Sequence, residues 1–148
     1  MIIDTGPIVS ILDKSDEMHL LCVSKLIDLP RPLFITQPCL TEAMHLLGKS
    51  GEYQLNETIW SLRKTGFLSI HYADDSESDY MSELMRKYSD SPMDYADASI
   101  VAAARTLKEK RIFSLDSHFY FYTDDSGEVF EVAPLRREVE EIRRAAKR

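Results

Sequence analysis

Short apolar runs alternate with longer amphipathic segments along the chain. Segments with apolar residues at helical spacing predict helices over residues 7–14, 16–29, 38–48, 53–65, 77–88 and 91–110. The short runs predict strands at MII (1–3), PLFIT (32–36), FLSIHY (67–72), RIFSL (111–115) and EVFEV (128–132). Strands that are separated by helices favour a parallel sheet with both faces covered. We therefore predict an α/β fold, a three-layer α/β/α sandwich with a mostly parallel central sheet.

Local signals predict where two of the helices begin and end. Pro38 lies near the start of the third predicted helix, and Gly48 is its expected stop. The strongest helix is expected to begin with Ser91 as its cap and Pro92 at the first helical position. Asp94 lies three residues after Ser91, where an acid can complete a capping box. Asp94 is therefore either a structural residue of this helix or part of a site.

The last fourteen residues, LRREVEEIRRAAKR, form a basic segment after Pro134. They hold six Lys or Arg residues against three Glu residues and predict a basic amphipathic helix. No repeat, low-complexity tract or long linker divides the rest of the chain. We expect residues 1–134 to form one domain, and residues 135–148 to form a helix or tail that joins this domain or is flexible.

The composition is that of an ordinary globular protein, with 44% apolar and 29% charged residues. The formal net charge is −7, which is the wrong sign for a protein that holds nucleic acid by general electrostatics. Any nucleic-acid function must therefore rest on a local site. Arg105, Arg111 and the basic carboxyl-terminal segment are the residues that we expect to contact phosphate.

Several sequence features bear on the compartment. No apolar run approaches the roughly 20 residues that span a bilayer, so no membrane association is expected. The amino-terminal residues show no basic segment followed by a signal-peptide core, so we expect a cytoplasmic protein. The two cysteines, Cys22 and Cys39, lack metal-ligand spacing and are expected to be buried thiols.

Two predicted strands run almost directly into an aspartate. Asp4 follows MII, and Asp116 follows RIFSL. In open α/β sheets, ligands bind beyond the carboxyl ends of the strands, so these acids are candidates for one shared site. The alternative is that each aspartate only caps the next helix. Gly6 and Pro7 are expected to turn the chain away from the first strand and leave the Asp4 carboxylate free.

Two further acids occupy unusually apolar helical segments. Glu42 lies in the apolar segment 40–47, and Asp97 lies in a run of small apolar residues, 96–104. A carboxylate in such a place needs a partner, and the first basic residue after Asp97 is Arg105. A metal ion shared with other carboxylates would be such a partner.

A hard divalent cation would resolve the repulsion among four converging acids. Without one, neighbouring carboxylates raise the pKa values of each other. Ligation by oxygen alone favours Mg²⁺ or Mn²⁺. One or two such ions can activate water and stabilise the leaving oxygen of a phosphodiester.

Four segments carry a family resemblance. IIDTGPIVSILDKSDEMH, LTEAMHLL, SPMDYADASIVAAA and IFSLDSHF, in this order, resemble the PIN-domain family, particularly VapC-type toxin ribonucleases. The resemblance covers about residues 1–134. It implies a metal-dependent endoribonuclease that cleaves single-stranded or structured RNA. It further implies that Mg²⁺ or Mn²⁺ is held by Asp4, Glu42, Asp97 and Asp116.

The resemblance also implies supporting residues and partners. Asp94 belongs to this variant of the motif and is a further candidate metal ligand. Ser114 stands where the family often has Thr, and Thr5 and Ser117 are expected to help position a metal-bound water or a phosphate. The implied partners are an RNA substrate, a small antitoxin protein of a type II toxin–antitoxin pair that occupies the site, and a second copy of the chain in a homodimer.

Other side chains have two interpretations each. His45 has the Glu-x-x-His spacing from Glu42 that di-iron bundles use, but a second such motif is absent and a packing or surface role is favoured. His19, with Asp13 and Asp16, either lines the second helix or lies near the substrate. Tyr120, Phe121 and Tyr122 either stack on bases or pack in the core. The acidic segment 120–134 is expected to form a surface hairpin.

Two alternative functions remain open on the sequence. A phosphatase of the haloacid-dehalogenase type also places an aspartate after its first strand, but it needs a second acid two residues later, where this chain has Gly6. A catalytically silent RNA- or protein-binding domain of the PIN type would keep the fold without the reaction.

Overall fold

The computed structural model describes residues 1–49, 53–91 and 93–147. The strands are β1 (Ile2–Ile3), β2 (Leu33–Thr36), β3 (Leu68–His71), β4 (Arg111–Phe113) and β5 (Glu131–Ala133). The helices are α1 (Thr5–Leu12), α2 (His19–Lys25), α3 (Gln37–Lys49), α4 (Tyr53–Lys64), α5 (Asp75–Lys87), α6 (Tyr95–Leu107) and α7 (Arg136–Ala146). A short 3₁₀ helix, Ser117–Tyr120, follows β4. The predicted alternation of strands and helices is confirmed.

The strands form one sheet in the order β3-β2-β1-β4-β5, and each neighbouring pair is parallel. The predicted fold class is confirmed, and within the described residues the sheet is entirely rather than mostly parallel. Because parallel strands end at the same edge, the residues that follow β1 and β4 emerge side by side. The register pairs Ile3 with Phe113, so Asp4 and Asp116 leave adjacent strands.

The central strands are apolar because helices cover both faces of the sheet. Ile2 and Ile3 of β1 and Ile112 and Phe113 of β4 are fully shielded from solvent. Helix α6 is also buried along most of its length, from Asp97 to Ala104. Its small side chains let it lie close to its neighbours, and its first turn carries a carboxylate into this interior.

The start of α6 differs from the sequence prediction. The Asp94 side chain accepts a hydrogen bond from the Asp97 N–H at 2.8 Å, so Asp94 rather than Ser91 is the cap. The prediction of Ser91 as cap, with Asp94 completing its capping box, was wrong. Asp94 has the extended backbone that a cap requires, and its carboxylate satisfies an otherwise unpaired donor. Pro92 lies outside the described residues.

Two predicted glycine positions lie inside helices. Helix α3 includes Gly48 and is described to Lys49, one residue beyond the expected stop. Gly6 and Pro7 lie in the first turn of α1, which begins at Thr5 directly after the cap residue Asp4. Proline is tolerated there because the missing N–H would have no partner within the helix.

Helix α6 ends at a strained residue. Lys108 adopts the left-handed conformation, with φ of 51°, and its N–H bonds the Ala104 and Arg105 carbonyls. We expect Lys108→Gly to raise the free energy of unfolding by about 0.5–1 kcal/mol, because glycine has no Cβ to oppose this conformation. Urea denaturation measures the change. Lys108→Ala removes the same charge but keeps a Cβ, so a matching gain in that variant would contradict the explanation.

The segments after β4 follow the prediction in outline. Thr123 and Val129 form an antiparallel bridge around a turn at Gly127, as expected of a hairpin, and the final strand lies slightly later than predicted. The basic segment forms α7, whose Val139 is buried. Cys22 and Cys39 are buried free thiols. None of the helices in the described ranges is both long and apolar enough to cross a membrane.

Candidate active site

A cavity of about 490 Å³ opens at the carboxyl edge of the sheet. The acids predicted for the site all line it: Asp4, Glu42, Asp94, Asp97 and Asp116. They arrive from separate elements, namely the ends of β1 and β4, the body of α3, and the cap and first turn of α6. Thr5 and Ser117 also line the cavity. The sequence-based expectation that these side chains lie together is met by the geometry.

Ser114 joins the two strand-end aspartates. Its hydroxyl donates to Asp4 Oδ2 at 2.7 Å and accepts from the Asp116 N–H at 2.9 Å. Ser114 is almost completely buried, so neither bond competes with bulk water. This side chain fixes the direction of the Asp4 carboxylate and the path of the backbone into Asp116.

Thr5 plays a similar part between Asp4 and Glu42. Its N–H donates to Asp4 Oδ1 at 2.6 Å, and its hydroxyl lies 2.9 Å from Glu42 Oε2 and 3.2 Å from the Cys39 carbonyl. Asp4 is therefore also the cap of α1, so the two interpretations of this residue, helix cap and site acid, hold together.

Asp97 is held by an aromatic residue that sequence reasoning did not assign to it. The Tyr122 hydroxyl donates to Asp97 Oδ2 at 3.0 Å. Tyr122 is buried and packs edge-on against the rings of Tyr88 and Phe119. Of the aromatic cluster at 120–122, Tyr122 is therefore a core residue that positions a site carboxylate. Phe121 is exposed and remains available to a ligand.

The electrostatics of the cavity disfavour ionised carboxylates. Burial raises the pKa of Asp97 to about 7, and the negative charges of Asp94, Asp116 and Asp4 add to the effect. Burial likewise raises the pKa of Asp4 to about 6, against the opposing hydrogen bonds from Ser114 and Thr5. Among the described residues, no Lys or Arg forms an ion pair with either side chain.

His118 is a further potential ligand that the sequence reasoning missed. Asp97, Asp116 and His118 each offer a ligand atom, and these atoms lie within 4.8 Å of one another. The backbone N–H of His118 donates to Asp116 Oδ1 at 2.9 Å, and the ring Nδ1 of His118 lies 3.4 Å from the same oxygen. The sequence signal for His118 was its position two residues after Asp116, because Asp116 caps the 3₁₀ helix in which His118 lies.

The donor set fits a hard divalent cation. Carboxylate oxygens predominate, and burial together with neighbouring carboxylates raises the pKa values of Asp4 and Asp97. A cation among these acids would lower those pKa values. The residues that could hold it are Asp97, Asp116 and His118, whose ligand atoms lie close together, and the other acids that line the cavity, Asp4, Glu42 and Asp94.

The structure assigns different positions to the residues for which the sequence left two roles open, namely Asp13, Asp16, His19 and His45. Asp16 lines the cavity, whereas the His19 ring bonds the Ser10 carbonyl at 2.8 Å and Asp13 bonds the Ser15 hydroxyl. His45 lines a neighbouring groove and not the acidic cavity.

The expected phosphate-binding arginines do not reach the cavity. Arg105 pairs with Asp125 at 2.9 Å. Arg111 pairs with Glu109 at 2.7 Å and begins β4, so it lies at the sheet edge opposite the acids. Neither side chain lines the acidic cavity, so any phosphate contact that they make lies outside it.

Comparisons with known proteins agree with the geometry. A family profile described as PIN domain matches residues 1–123. A crystal structure of VapC20 from Mycobacterium tuberculosis, a sarcin-ricin loop cleaving toxin, has a similar fold, with a TM-score of 0.72. The match covers 90% of this chain and 98% of VapC20 at 14% sequence identity. A search of curated proteins finds no match.

Proposed function

Because the chain belongs to the PIN-domain family, we propose that it is a metal-dependent endoribonuclease, the toxin of a type II toxin–antitoxin pair. The observation that carries the proposal is the acidic cavity at the carboxyl edge of the sheet. Its acids come from four separate elements and are held by Ser114, Thr5 and Tyr122. A domain that kept only the fold would have no need of buried carboxylates with raised pKa values.

We propose the following roles for the residues of the cavity. Asp4, Glu42, Asp97 and Asp116 hold Mg²⁺ or Mn²⁺, and Asp94 adds a carboxylate at the cavity wall. When bound, the cation activates water and stabilises the charge that develops on the phosphate. Thr5 and Ser114 keep the carboxylates in place, and Ser117 lines the cavity, where its hydroxyl is proposed to donate to a phosphate oxygen. We assign no general base.

The proposed substrate class is structured RNA. The similar structure is that of a toxin which cleaves the sarcin-ricin loop. A net charge of −7 gives no general attraction to nucleic acid, so selection by RNA shape suits this chain better than binding by charge. We further propose a small antitoxin protein as partner, a homodimer and a cytoplasmic location.

An RNA cleavage assay tests the proposal directly. Purified protein is incubated with a labelled hairpin RNA that contains the sarcin-ricin loop sequence, with Mn²⁺ or with EDTA. We expect discrete cleavage products with Mn²⁺ and none with EDTA. A pool of unrelated hairpins under the same conditions measures whether the cut depends on RNA shape.

Thermal unfolding gives an independent arm of this test. Mn²⁺ is expected to raise Tm because it binds the folded site and not the unfolded chain. A rise in Tm without cleavage of any RNA would contradict the proposed reaction and favour the silent binding domain. If Mn²⁺ neither raised Tm nor supported cleavage, the proposed metal binding would be contradicted as well as the proposed reaction.

A further inference from the structure

We infer that Arg143, on α7, binds an RNA phosphate at the active site, so that the basic carboxyl-terminal helix forms one wall of the substrate-binding cavity. The inference rests on the proposed function and adds a phosphate-binding residue to it. Arg105 and Arg111 do not line this cavity and pair with Asp125 and Glu109.

Arg143 is the cationic member of an acidic cavity. Among the described residues that line the cavity, every other charged side chain is a carboxylate: Asp4, Asp16, Glu17, Glu42, Asp94, Asp97 and Asp116. A phosphate that approaches this surface meets strong repulsion. A guanidinium offers several N–H donors in the planar arrangement that matches phosphate oxygens.

The guanidinium is held next to the acids. Its Nη2 donates to the Leu115 carbonyl at 3.2 Å, and Leu115 directly precedes Asp116. That contact uses one donor of five, so most of the guanidinium remains available. No carboxylate in the described part of the chain forms an ion pair with Arg143. By contrast, Arg136 and Arg144 of the same helix both pair with Glu140, at 2.7 Å and 3.1 Å.

Helix α7 is anchored to the domain and does not act as a loose basic tail. Val139 is 5% exposed, and Lys25 Nζ lies 2.7 Å from Glu138 Oε1. Glu138 Oε2 also accepts from the Leu135 N–H at 2.8 Å at the start of the helix. The position of Arg143 is therefore set by packing on the same fold that positions the acids.

A second, smaller cavity continues from Arg143. It measures about 100 Å³, and Leu115, Ser117 and Arg143 line both cavities. Arg136 and Glu140, which pair with each other, also line the second cavity. Among the described residues that line both cavities, Arg143 is therefore the arginine without a carboxylate partner. This arrangement suits a phosphate of an RNA strand that passes between the acids and α7.

A pair of adjacent substitutions tests the assignment. Arg143→Gln removes the charge but can still donate to the Leu115 carbonyl. Arg144→Gln removes the same charge from the neighbouring position, whose side chain lines neither cavity. We expect kcat/KM for hairpin RNA cleavage to fall about 10- to 100-fold in Arg143→Gln and to stay within about twofold in Arg144→Gln. Arg143→Lys should recover part of the loss, since it restores charge but not planar donors.

Binding supplies a readout that does not require cleavage. Affinity for the fluorescein-labelled hairpin RNA is measured in EDTA by anisotropy across a range of NaCl concentrations. Loss of one phosphate contact should reduce the slope of log affinity against log salt by about 0.7–0.9 in Arg143→Gln. The slope for Arg144→Gln should match that of the wild type. Circular dichroism checks that both variants are folded.

The outcomes separate this inference from the proposed function. If the wild type cleaves RNA and both variants match it in cleavage and salt slope, the inference about Arg143 is wrong and the nuclease proposal stands. If the wild type cleaves no RNA, the nuclease proposal fails, and the salt slopes alone decide whether Arg143 contacts phosphate. Should Arg143→Gln fail to fold, an Arg143→Lys variant with unchanged RNA affinity and kcat/KM would overturn the assignment of planar phosphate contacts.

Discussion

Asp97→Asn is expected to lower the rate of RNA cleavage by about 1000-fold or more. A bound cation stabilises the transition state by several kcal/mol, and each 1.4 kcal/mol is about tenfold in rate. The substituted side chain would keep the hydrogen bond from Tyr122, because an amide oxygen also accepts, but it would lose the charge that holds a divalent ion. Initial rates of hairpin RNA cleavage in Mn²⁺ measure the loss.

The control for this substitution is Asp79→Asn. Asp79 is an exposed carboxylate on α5, away from the cavity, so its replacement changes the net charge by the same amount. We expect it to cleave RNA at the wild-type rate. If Asp97→Asn retained more than about a tenth of wild-type activity, Asp97 would not be a metal ligand in this protein.

The fold could be predicted because its causes are local. Alternating apolar runs and amphipathic segments specify strands that helices must cover, and that pattern leads to a parallel sheet. The common edge of such a sheet then brings Asp4 and Asp116 together. Asp97 was identifiable as a charged residue in an apolar helix, where burial without a partner is costly. Glu42 is exposed on α3, so its apolar neighbours in the sequence did not imply burial.

What the sequence did not reveal depends on contacts between distant segments. Tyr122 lies in a stretch without periodic pattern, and only the folded chain shows that it donates to Asp97. Arg143 sits in a helix with several other arginines, and nothing local distinguishes the one that faces the cavity. Ser91 and Asp94 are both good caps by residue type, and only the folded chain shows that Asp94 accepts from the Asp97 N–H.

The raised pKa values imply a conflict between stability and function. Asp4 and Asp97 are buried among other carboxylates before any cation binds, so in the metal-free protein each ionised form is less stable than in water. Such a site is maintained at a cost to the fold. A substitution that removes one of these charges should therefore stabilise the metal-free protein, although it also abolishes the proposed activity.

Asp97→Asn is expected to raise the free energy of unfolding of the metal-free protein by about 2 kcal/mol at pH 8, a rise in Tm of roughly 6 °C. The folded-state pKa of Asp97 is about 7, against an ordinary value of 3.8, so ionisation at pH 8 opposes folding. The full shift would correspond to a larger gain, but solvent screening and the lost interaction with the amino terminus of α6 reduce it. Urea denaturation in EDTA measures the difference.

The pH dependence of this stability gain shows whether the buried charge of Asp97 causes it. Between about pH 4 and pH 7 the folded wild type binds more protons at Asp97 than the unfolded chain does, so its stability falls as the pH rises through that window. Near pH 4 the carboxyl is protonated in the folded state, and the advantage of Asp97→Asn should nearly disappear. Asp79→Asn should show no such gain at either pH. An equal gain at pH 4 and pH 8 would mean that packing, and not the buried charge, separates Asp97→Asn from the wild type.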